Sequence, residues 1–325
     1  MSKRSELTGI VAQIRQARHV LLCTHMAPDA DAIGSVLALA SCVEQLGPTA
    51  TVCCHDPVPS YLAFLPGVER IVLPQQAQQD RSYDLAVSID ASDLERLGDA
   101  GALFQQTPHT IQMDHHRTNT RFAQTNFVLD HLPASGNLAF MLFKEAGISI
   151  SQDDATCLYA AISSDTGNFC FGQLSAEVFG QVAELMRAGL PIVETARQLH
   201  LMKEPQHILL LGRALRSLRF YEEGRLTSMT LTKQDFADSG AGGEHTDKIV
   251  NYGLYIPGVE LCYLASETDD DGIKISLRAI APRQVDGVAL SLGGGGHAQA
   301  SGCTIHAPLA EAIRRVHEAM IQELR

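Results

Sequence analysis

The chain has 325 residues, of which 45% are hydrophobic, enough length and apolar content for two domains with substantial cores. Its net charge of −12 argues against a broad basic groove for long duplex nucleic acid, and no run approaches the ~18 apolar residues of a membrane span. The eight cysteines show no CxxC spacing, so we expect free thiols in a cytoplasmic protein and no zinc–cysteine site.

The first part of the chain alternates short apolar runs with helical patterns. Helical spacing predicts a first helix over residues 4–17. The predicted strands are 20–23, 49–54, 85–90, 110–114 and 126–129. The predicted helices that follow them are 32–45, 94–104, 136–146, 153–163 and 175–188. This alternation indicates βαβ units, so the fold class is α/β with an N-terminal doubly wound parallel sheet.

The pattern changes character from residue 189 onward. Two helical patterns come first, at 191–202 and 205–218. Strand patterns follow at 226–232, 259–266 and 273–280, with a helix at 285–291. The acidic run Asp269–Gly272 is expected to be a hairpin turn.

These patterns divide the chain into three parts. Residues 1–188 are expected to form one α/β domain, and 189–204 a helical linker or hinge. Residues 205–325 should form a smaller α/β domain with a mixed sheet.

The stretch His25-Met-Ala-Pro-Asp29-Ala-Asp31 leaves the first predicted strand and enters a helix. Open α/β sheets bind ligands at this end of their strands. Taken alone, the stretch allows a plain alternative, in which Asp31 caps the helix and His25 is a strand-end histidine. Gly34 is expected to let the helix approach the sheet closely.

Carboxylates and imidazoles recur at the ends of three further elements. Asp90 ends one apolar run, Asp114-His115-His116 ends another, and Asp165 follows a helical face. Aspartate and histidine suit divalent metals. Four such endings in one domain therefore predict a metal cluster.

A glycine-rich run near the C-terminus is the second feature of interest. Its residues Gly294, Gly295 and Gly296 precede His297, and glycines let successive N–H groups turn toward an anion. We favour such an anion nest over a flexible linker. Arg278, on the polar face of a predicted strand, suits bidentate phosphate binding, although it could also be a surface arginine.

Together, these motifs resemble those of the DHH phosphoesterase superfamily. The resemblance rests on His25-x3-Asp29-x-Asp31, Asp90, Asp114-His115-His116, Ser164-Asp165-Thr166 and the run Gly293–Gly302. The last looks like the end of the DHH-associated C-terminal domain, so the resemblance spans nearly the whole chain. It implies that residues 1–188 are the metal-binding catalytic domain, that residues 205–325 bind substrate, and that the active site lies in the cleft between them. Within the superfamily, the chain is most similar to the compact oligoribonuclease and pAp phosphatase branch. Departures at residues 168–173 and at Arg278-Ala-Ile affect the expected substrate contacts.

The resemblance implies two divalent metal ions, and the ligand types favour Mn²⁺. The ligands implied for one ion are His25, Asp29 and Asp90. Those implied for the other are Asp31, Asp90, His115 and Asp165, with Asp90 bridging. The resemblance also leaves Asp114 to orient a neighbour and His116 to contact phosphate or donate a proton, so Asp90, Asp114 and His116 are the candidates for the chemistry.

Charge arithmetic indicates that the substrate needs further cations. Two divalent ions carry +4, and the four aspartate ligands carry −4. A phosphate dianion therefore requires positive charge from other side chains. The candidates are His116, Arg117, Arg278 and His297.

The expected activity is two-metal phosphoester hydrolysis, in which a metal-activated hydroxide attacks phosphorus in line. The resemblance implies very short oligoribonucleotides, cleaved to mononucleotides, and pAp, cleaved to AMP. A cyclic or linear dinucleotide phosphodiesterase stays open as an alternative. A manganese pyrophosphatase is disfavoured by the glycine-rich run, and a RecJ-like exonuclease by the lack of basic surface.

A nucleotide-binding regulator without turnover is the alternative from a different class. It would be expected to carry a degenerate site, whereas every implied ligand is present. The expected partners are short single-stranded RNA or nucleotides, without duplex nucleic acid or membrane, and a homodimer is left open. The chain has no Trp, so base stacking would fall to Phe169, Tyr252 or Tyr255.

Overall fold

The computed structural model describes residues 3–78 and 82–325. The chain divides into two compact units, Met1–Met202 and Lys203–Arg325. The division falls inside the segment 189–204, most of which belongs to the first unit. None of the helices in the described ranges is long and apolar enough to cross a membrane.

The first unit is built on a parallel sheet. Its strands, within the described part of the unit, are β1 (His19–Cys23), β2 (Thr49–Cys53), β3 (Leu85–Ile89), β4 (His109–Asp114) and β5 (Thr125–Val128). Their order is β2-β1-β3-β4-β5, and every neighbouring pair is parallel. The chain reverses its winding direction between β1 and β3, and this switch point is where open α/β sheets bind ligands.

Helices pack on both faces of this sheet. In chain order they are α1 (Lys3–Gln16), α2 (Ala30–Leu46), α3 (Pro74–Ala77), α4 (Ala100–Gln106), α5 (Ser135–Ala146), α6 (Gln152–Asp165), α7 (Ala176–Arg187) and α8 (Ile192–Ala196). The main core joins α1, α2, α5, α6 and α7 to one face of the sheet. On the other face, Phe104 of α4 packs with Leu21 and Ala86 of the strands. The predicted α/β class is confirmed.

Two predicted helices differ from the observed ones. The pattern at 94–104 becomes a 3-10 turn, Glu95–Leu97, followed by α4, because Gly98 interrupts the helix with a φ of 54°. The pattern at 191–202 ends as a π-helical turn, Arg197–Leu201.

Gly34 contacts a helix and not the sheet, contrary to expectation. A Cβ at this position would lie 2.3 Å from the carbonyl oxygen of Cys157 in α6. The glycine therefore lets α2 and α6 pack backbone to backbone, and both helices carry predicted metal ligands.

The second unit is a mixed sheet with helices. Its strands, among the described residues, are β6 (Arg219–Tyr221), β7 (Leu226–Leu231), β8 (Leu261–Glu267), β9 (Ile273–Ala279), β10 (Gly295–His297) and β11 (Ala300–Ile305). The order is β10-β11-β9-β8-β7-β6, and only the β7–β8 pair is parallel. The helices are α9 (Pro205–Arg216), α10 (Lys233–Ser239), α11 (Asp286–Ser291) and α12 (Leu309–Leu324).

Different elements pack on the two faces of this mixed sheet. Helices α11 and α12 pack on one face, where Leu277 meets Val316 and Met320. Helix α9 and a 3-10 turn, Ile249–Gly253, cover β7 and β8 on the other face. The hairpin turn predicted at Asp269–Gly272 is confirmed, since it joins the antiparallel strands β8 and β9.

The glycine-rich run forms a strand, which the sequence patterns did not predict. Gly295 pairs with Gly302, and Gly296 pairs with Ser301. A Cβ on Gly294 would lie 2.1 Å from the carbonyl oxygen of Gly302, so the absence of side chains lets β10 lie tightly on β11. A flexible linker is therefore wrong. The patterns also did not predict β6, α10 and α12.

Candidate metal centre

Six predicted ligands converge at the carboxyl edge of the parallel sheet. They are His25 after β1, Asp29 and Asp31 at the start of α2, Asp90 after β3, His115 after β4 and Asp165 at the end of α6. Most of these side chains are buried, and Asp29 is the most exposed. Parallel strands bring their carboxyl ends to one edge, so residues far apart in sequence meet there.

The start of α2 separates the roles of its two aspartates. Asp29 caps the helix, because its Oδ1 accepts from the backbone N–H groups of Asp31 at 2.9 Å and Ala32 at 3.1 Å. Asp31 is the second residue of the helix and is fully buried. The plain alternative, in which Asp31 is the cap, is therefore wrong.

A network of donors fixes the Asp31 carboxylate. Ser35 Oγ donates to it at 2.8 Å, the Ser135 N–H at 2.7 Å and the Gly136 N–H at 2.9 Å. The last two are free N–H groups at the N-terminus of α5, where the helix dipole also favours a negative charge. The carboxylate is thus held in one orientation before any ligand binds.

Asp90 lies at the centre of the cluster. It adopts left-handed backbone, with a φ of 62°, at a cost of about 1–3 kcal/mol that non-glycine residues accept mainly at functional sites. Its carboxylate accepts from Ser135 Oγ at 2.9 Å and lies 3.5 Å from Nε2 of both His25 and His115. One carboxylate therefore faces two imidazoles.

Backbone carbonyls orient these two imidazoles. His25 Nδ1 lies 2.8 Å from the Met26 carbonyl oxygen, and His115 Nδ1 lies 3.3 Å from that of Leu132. Because a carbonyl only accepts, His115 Nδ1 donates, whereas His25 Nδ1 also faces a guanidinium nitrogen of Arg96, which only donates, at 3.2 Å. In both rings Nε2 is the atom that faces the carboxylates. Metal-binding histidines are commonly oriented in this way.

His116 and Asp114 form a separate pair beside the cluster. His116 Nδ1 donates to Asp114 Oδ1 at 2.8 Å, and Asn119 Nδ2 donates to Asp114 Oδ2 at 2.5 Å. His116 Nδ1 also lies 3.8 Å from Asp90 Oδ1. Since Nδ1 is engaged with Asp114, the chemistry open to this ring is at Nε2.

The charges of the cluster shift the pKa values of its histidines upward. Burial disfavours the imidazolium form, but the hydrogen bond to Asp90 and the charge of Asp29 outweigh it and raise the pKa of His25 to about 9. The pKa of His115 is raised well above its usual value, since Asp90 and Asp165 also outweigh burial there.

The pKa values of the carboxylates in the cluster are shifted in opposite directions. Burial, then the charges of Asp90 and Asp165, hold the pKa of Asp31 well above its usual value. Burial and the charge of Asp29 raise the pKa of Asp165 to about 7. The pKa of Asp90 is held well below its usual value, because hydrogen bonds with the two flanking imidazoles outweigh burial. The cluster thus gathers buried negative charge that a cation would stabilise.

The donor set fits divalent ions. The donor atoms of His25, Asp29 and Asp90 lie within 4.8 Å of one another, and so do those of Asp31, His115 and Asp165. The distances from the histidine Nε2 atoms to the carboxylate oxygens run from 3.3 to 4.0 Å. Ligand atoms around one ion lie roughly 3.0–3.4 Å apart for bonds of about 2.1 Å, so small adjustments would suffice.

The remaining predicted phosphate contacts belong to a loop of the first unit and to the second unit. Arg117 is exposed in the loop after β4. Arg278 and His297 belong to the second unit, where both pair across the sheet with Ala300 of β11. Gly294 precedes β10, and Gly295 and Gly296 lie within it.

Three residues near the cluster were missed from sequence. Ser135 contacts both Asp31 and Asp90, Asn119 holds Asp114, and an Arg96 guanidinium nitrogen lies 3.2 Å from His25 Nδ1. The Pro-Ala-Ser-Gly run at 133–136 was an available signal for Ser135, since it marks a helix N-terminus. The other two lie in loops that have no periodic pattern.

Comparison with known proteins defines the class to which this site belongs. Residues 19–162 match the DHH family N-terminal domain, and residues 229–325 match the DHHA1 domain. The chain belongs to the DHH family.

Two curated relatives show which members of the DHH family this chain is similar to. The chain is 31% identical over 322 residues to the bifunctional oligoribonuclease and PAP phosphatase NrnA of Thermus thermophilus, covering 98% of this chain and 95% of that protein. It is 24% identical over 305 residues to the protein of the same name from Bacillus subtilis, covering 92% and 93%.

A solved structure shares the whole fold. The crystal structure of an exopolyphosphatase-related protein from Bacteroides fragilis matches with a TM-score of 0.92 at 24% identity, covering 98% of this chain and 96% of that one. RecJ of Thermus thermophilus, solved with Mn²⁺, has a TM-score of 0.56 at 14% identity, covering 98% of this chain and 55% of that one.

Proposed function

We propose that this chain hydrolyses very short oligoribonucleotides to mononucleotides and pAp to AMP. The observation that carries the proposal is the convergence of six ligand side chains, in a chain that aligns over nearly its full length with a protein named for these two activities. Both substrates present a phosphoester next to a ribose, so one site can serve both.

The proposed cofactors are two divalent ions, with Mn²⁺ as the preferred metal because the ligands mix imidazole and carboxylate. One ion would be held by His25, Asp29 and Asp90. The other would be held by Asp31, Asp90, His115 and Asp165. When bound, such ions supply a nucleophilic water at neutral pH and positive charge for the phosphoryl oxygens.

Other residues of the chain would orient the metal ligands and donate a proton. The N-terminus of α5 fixes Asp31, and Ser135 fixes Asp90, so the ligands need little reorganisation. Asp114 raises the pKa of His116 through a hydrogen bond that outweighs burial. The raised pKa favours the protonated form of His116, which could donate from Nε2 to the phosphate or the leaving oxygen.

Further positive charge would come from outside this cluster. The proposed contributors are Arg117, Arg278 and His297, with Gly294, Gly295 and Gly296 offering backbone close to the phosphate. Arg278 is the strongest of these because its guanidinium can bind two phosphate oxygens at once.

A product assay with Mn²⁺ tests the proposal, comparing the dinucleotide ApA, pAp, cyclic di-AMP and pyrophosphate. We expect AMP and adenosine from ApA, and AMP and inorganic phosphate from pAp. Turnover of cyclic di-AMP alone would point to a cyclic dinucleotide phosphodiesterase, and turnover of pyrophosphate alone to a pyrophosphatase. Mn²⁺ binding without turnover of any substrate would favour a regulator.

A further inference from the structure

One face of the second unit's sheet carries a row of polar side chains. In β9, Lys274, Ser276 and Arg278 alternate with buried residues that pack against α11 and α12. Directly paired residues in antiparallel strands project to the same face. Arg278 pairs with Ala300 and Ala300 with His297, so the guanidinium and the exposed imidazole share a face with only a methyl group between them.

The 3-10 turn Ile249–Gly253 is fixed to this same face. Cys262 Sγ donates to the Val250 carbonyl at 3.2 Å, and Thr227 Oγ1 donates to the Gly253 carbonyl at 3.1 Å. Within the turn, Asn251 Oδ1 accepts from Arg278 Nε at 3.0 Å. The turn therefore has a fixed position beside the guanidinium.

This turn and the loop after it present two tyrosines to solvent. The Tyr252 side chain is 39% exposed and that of Tyr255 is 61% exposed. Their ring centroids lie 5.4 Å apart, with the ring planes at 59°. Burial lowers the pKa of the Arg278 guanidinium, and the nearby Tyr255 is among the groups that oppose this shift.

An exposed aromatic pair beside a cation is the combination that binds single nucleotides. Bases stack on aromatic rings whatever their sequence, while an arginine holds the adjoining phosphate. Both rings are exposed on a turn that hydrogen bonds hold in place, so they are accessible to a base. Phe169 is less suited, since it is half-buried and packs against Tyr159 and Phe179.

We propose that Tyr252 and Tyr255 form the base-stacking subsite for the nucleotide whose phosphate contacts Arg278. This inference rests on the proposed function, because it assigns a base-binding surface to the same substrates. It predicts little discrimination among the four bases and a strong preference for substrates that carry a base.

The test compares steady-state kinetics of the full chain and of the double variant Y252A/Y255A, with Mn²⁺. The substrates are ApA and a dinucleotide analogue that lacks both bases. We expect KM for ApA to rise about tenfold, with kcat changed by less than about twofold, because stacking is lost in bound and transition states alike. KM for the base-free analogue should be the same in both proteins.

Two further variants show whether a change in KM comes from the loss of these two aromatic rings. Y252F/Y255F keeps both rings and should restore KM for ApA to within about threefold of the wild-type value. Phe220→Ala removes a 55%-exposed ring from β6, at the far edge of the same sheet, and should leave KM unchanged. An unchanged KM for ApA in the double alanine variant, or equal losses with ApA and the base-free analogue, would overturn the proposal.

An equilibrium titration separates this inference from the proposed function. ApA is titrated by calorimetry into the same four proteins without metal, so no turnover is needed. Weaker binding by the double alanine variant alone would support the stacking subsite even if the wild-type chain hydrolysed nothing. Equal binding by all four proteins would contradict it even if the wild type were fully active.

Discussion

At the scale of single residues, the left-handed backbone of Asp90 explains how its carboxylate faces both His25 and His115. The positive φ turns the chain immediately after β3, and the Ala91 carbonyl accepts from the Gln112 side chain at 2.8 Å. The strained residue is thereby held from the loop side, while Ser135 holds its carboxylate. Because both the backbone next to Asp90 and its carboxylate are held, the side chain can face His25 and His115 together.

The pair of Asp114 and His116 gives a pH-dependent prediction. Asp114 raises the pKa of His116, so the imidazolium persists to higher pH and activity that needs it is lost as pH rises through that raised pKa. Asp114→Asn removes the charge, and the alkaline limb of the kcat profile should move to lower pH. Activity at pH ~8 should fall about tenfold or more.

Asp130→Asn is the matched control, because Asp130 is an exposed carboxylate just after β5. Its pH profile should coincide with that of the wild type. A loss of activity in Asp114→Asn with an unmoved alkaline limb would show that Asp114 does not act through the charge of His116.

The sequence predicts the clustered histidines and aspartates better than the groups that hold them. Histidines and aspartates at strand ends are visible as breaks in apolar runs, as at His25 and Asp90. The run at 133–136 marks a helix N-terminus, but the contact of Ser135 with Asp31 depends on where α5 begins in space, which no local pattern shows.

At the scale of elements, three helices position the cluster. The small residues Gly34 in α2 and Gly136 in α5 both face α6, where added side chains would meet Cys157 and Ala161. This close packing sets the distances between Asp31, at the start of α2, and Asp165, at the end of α6. Periodicity predicted the helices but could not show which of them meet, and so Gly34 was assigned to the wrong neighbour.

Gly34→Ala should therefore destabilise the first unit by about 1–3 kcal/mol or more, because the new methyl group overlaps backbone that cannot move independently. Gly180→Ala in α7 is the control, since its Cβ would meet nothing within 4 Å. That change should stabilise by about 0.4–1 kcal/mol. Thermal and urea unfolding of both variants measure the difference, and equal effects would rule out the close α2–α6 contact.

At the scale of the whole molecule, the sequence indicated two regions of different type. Alternating strands and helices predicted the parallel sheet, because βαβ units leave a regular pattern. The second sheet was predicted less completely. Its strand β10 consists mostly of glycine, which carries no strand propensity, and only the pairing with β11 reveals it.

The acidic character of the chain is consistent with the proposed use of metal ions. With a net charge of −12, the protein as a whole repels a polyanion, so attraction to a phosphoester must be local. The cluster would provide that attraction only when divalent ions are bound. Removing them should therefore abolish hydrolysis and weaken substrate binding, while contacts made by the second unit remain.

The most direct measurement is AMP release from ApA by chain treated with EDTA and then resupplied with Mn²⁺. We expect no hydrolysis after stripping and full recovery with Mn²⁺. In Asp90→Asn, which lacks the carboxylate that faces His25 and His115, the rate should stay about 10³-fold or more below the wild type, with a circular dichroism spectrum that matches the wild type. Hydrolysis by the stripped wild type, or near-normal rates in Asp90→Asn with Mn²⁺, would contradict the account.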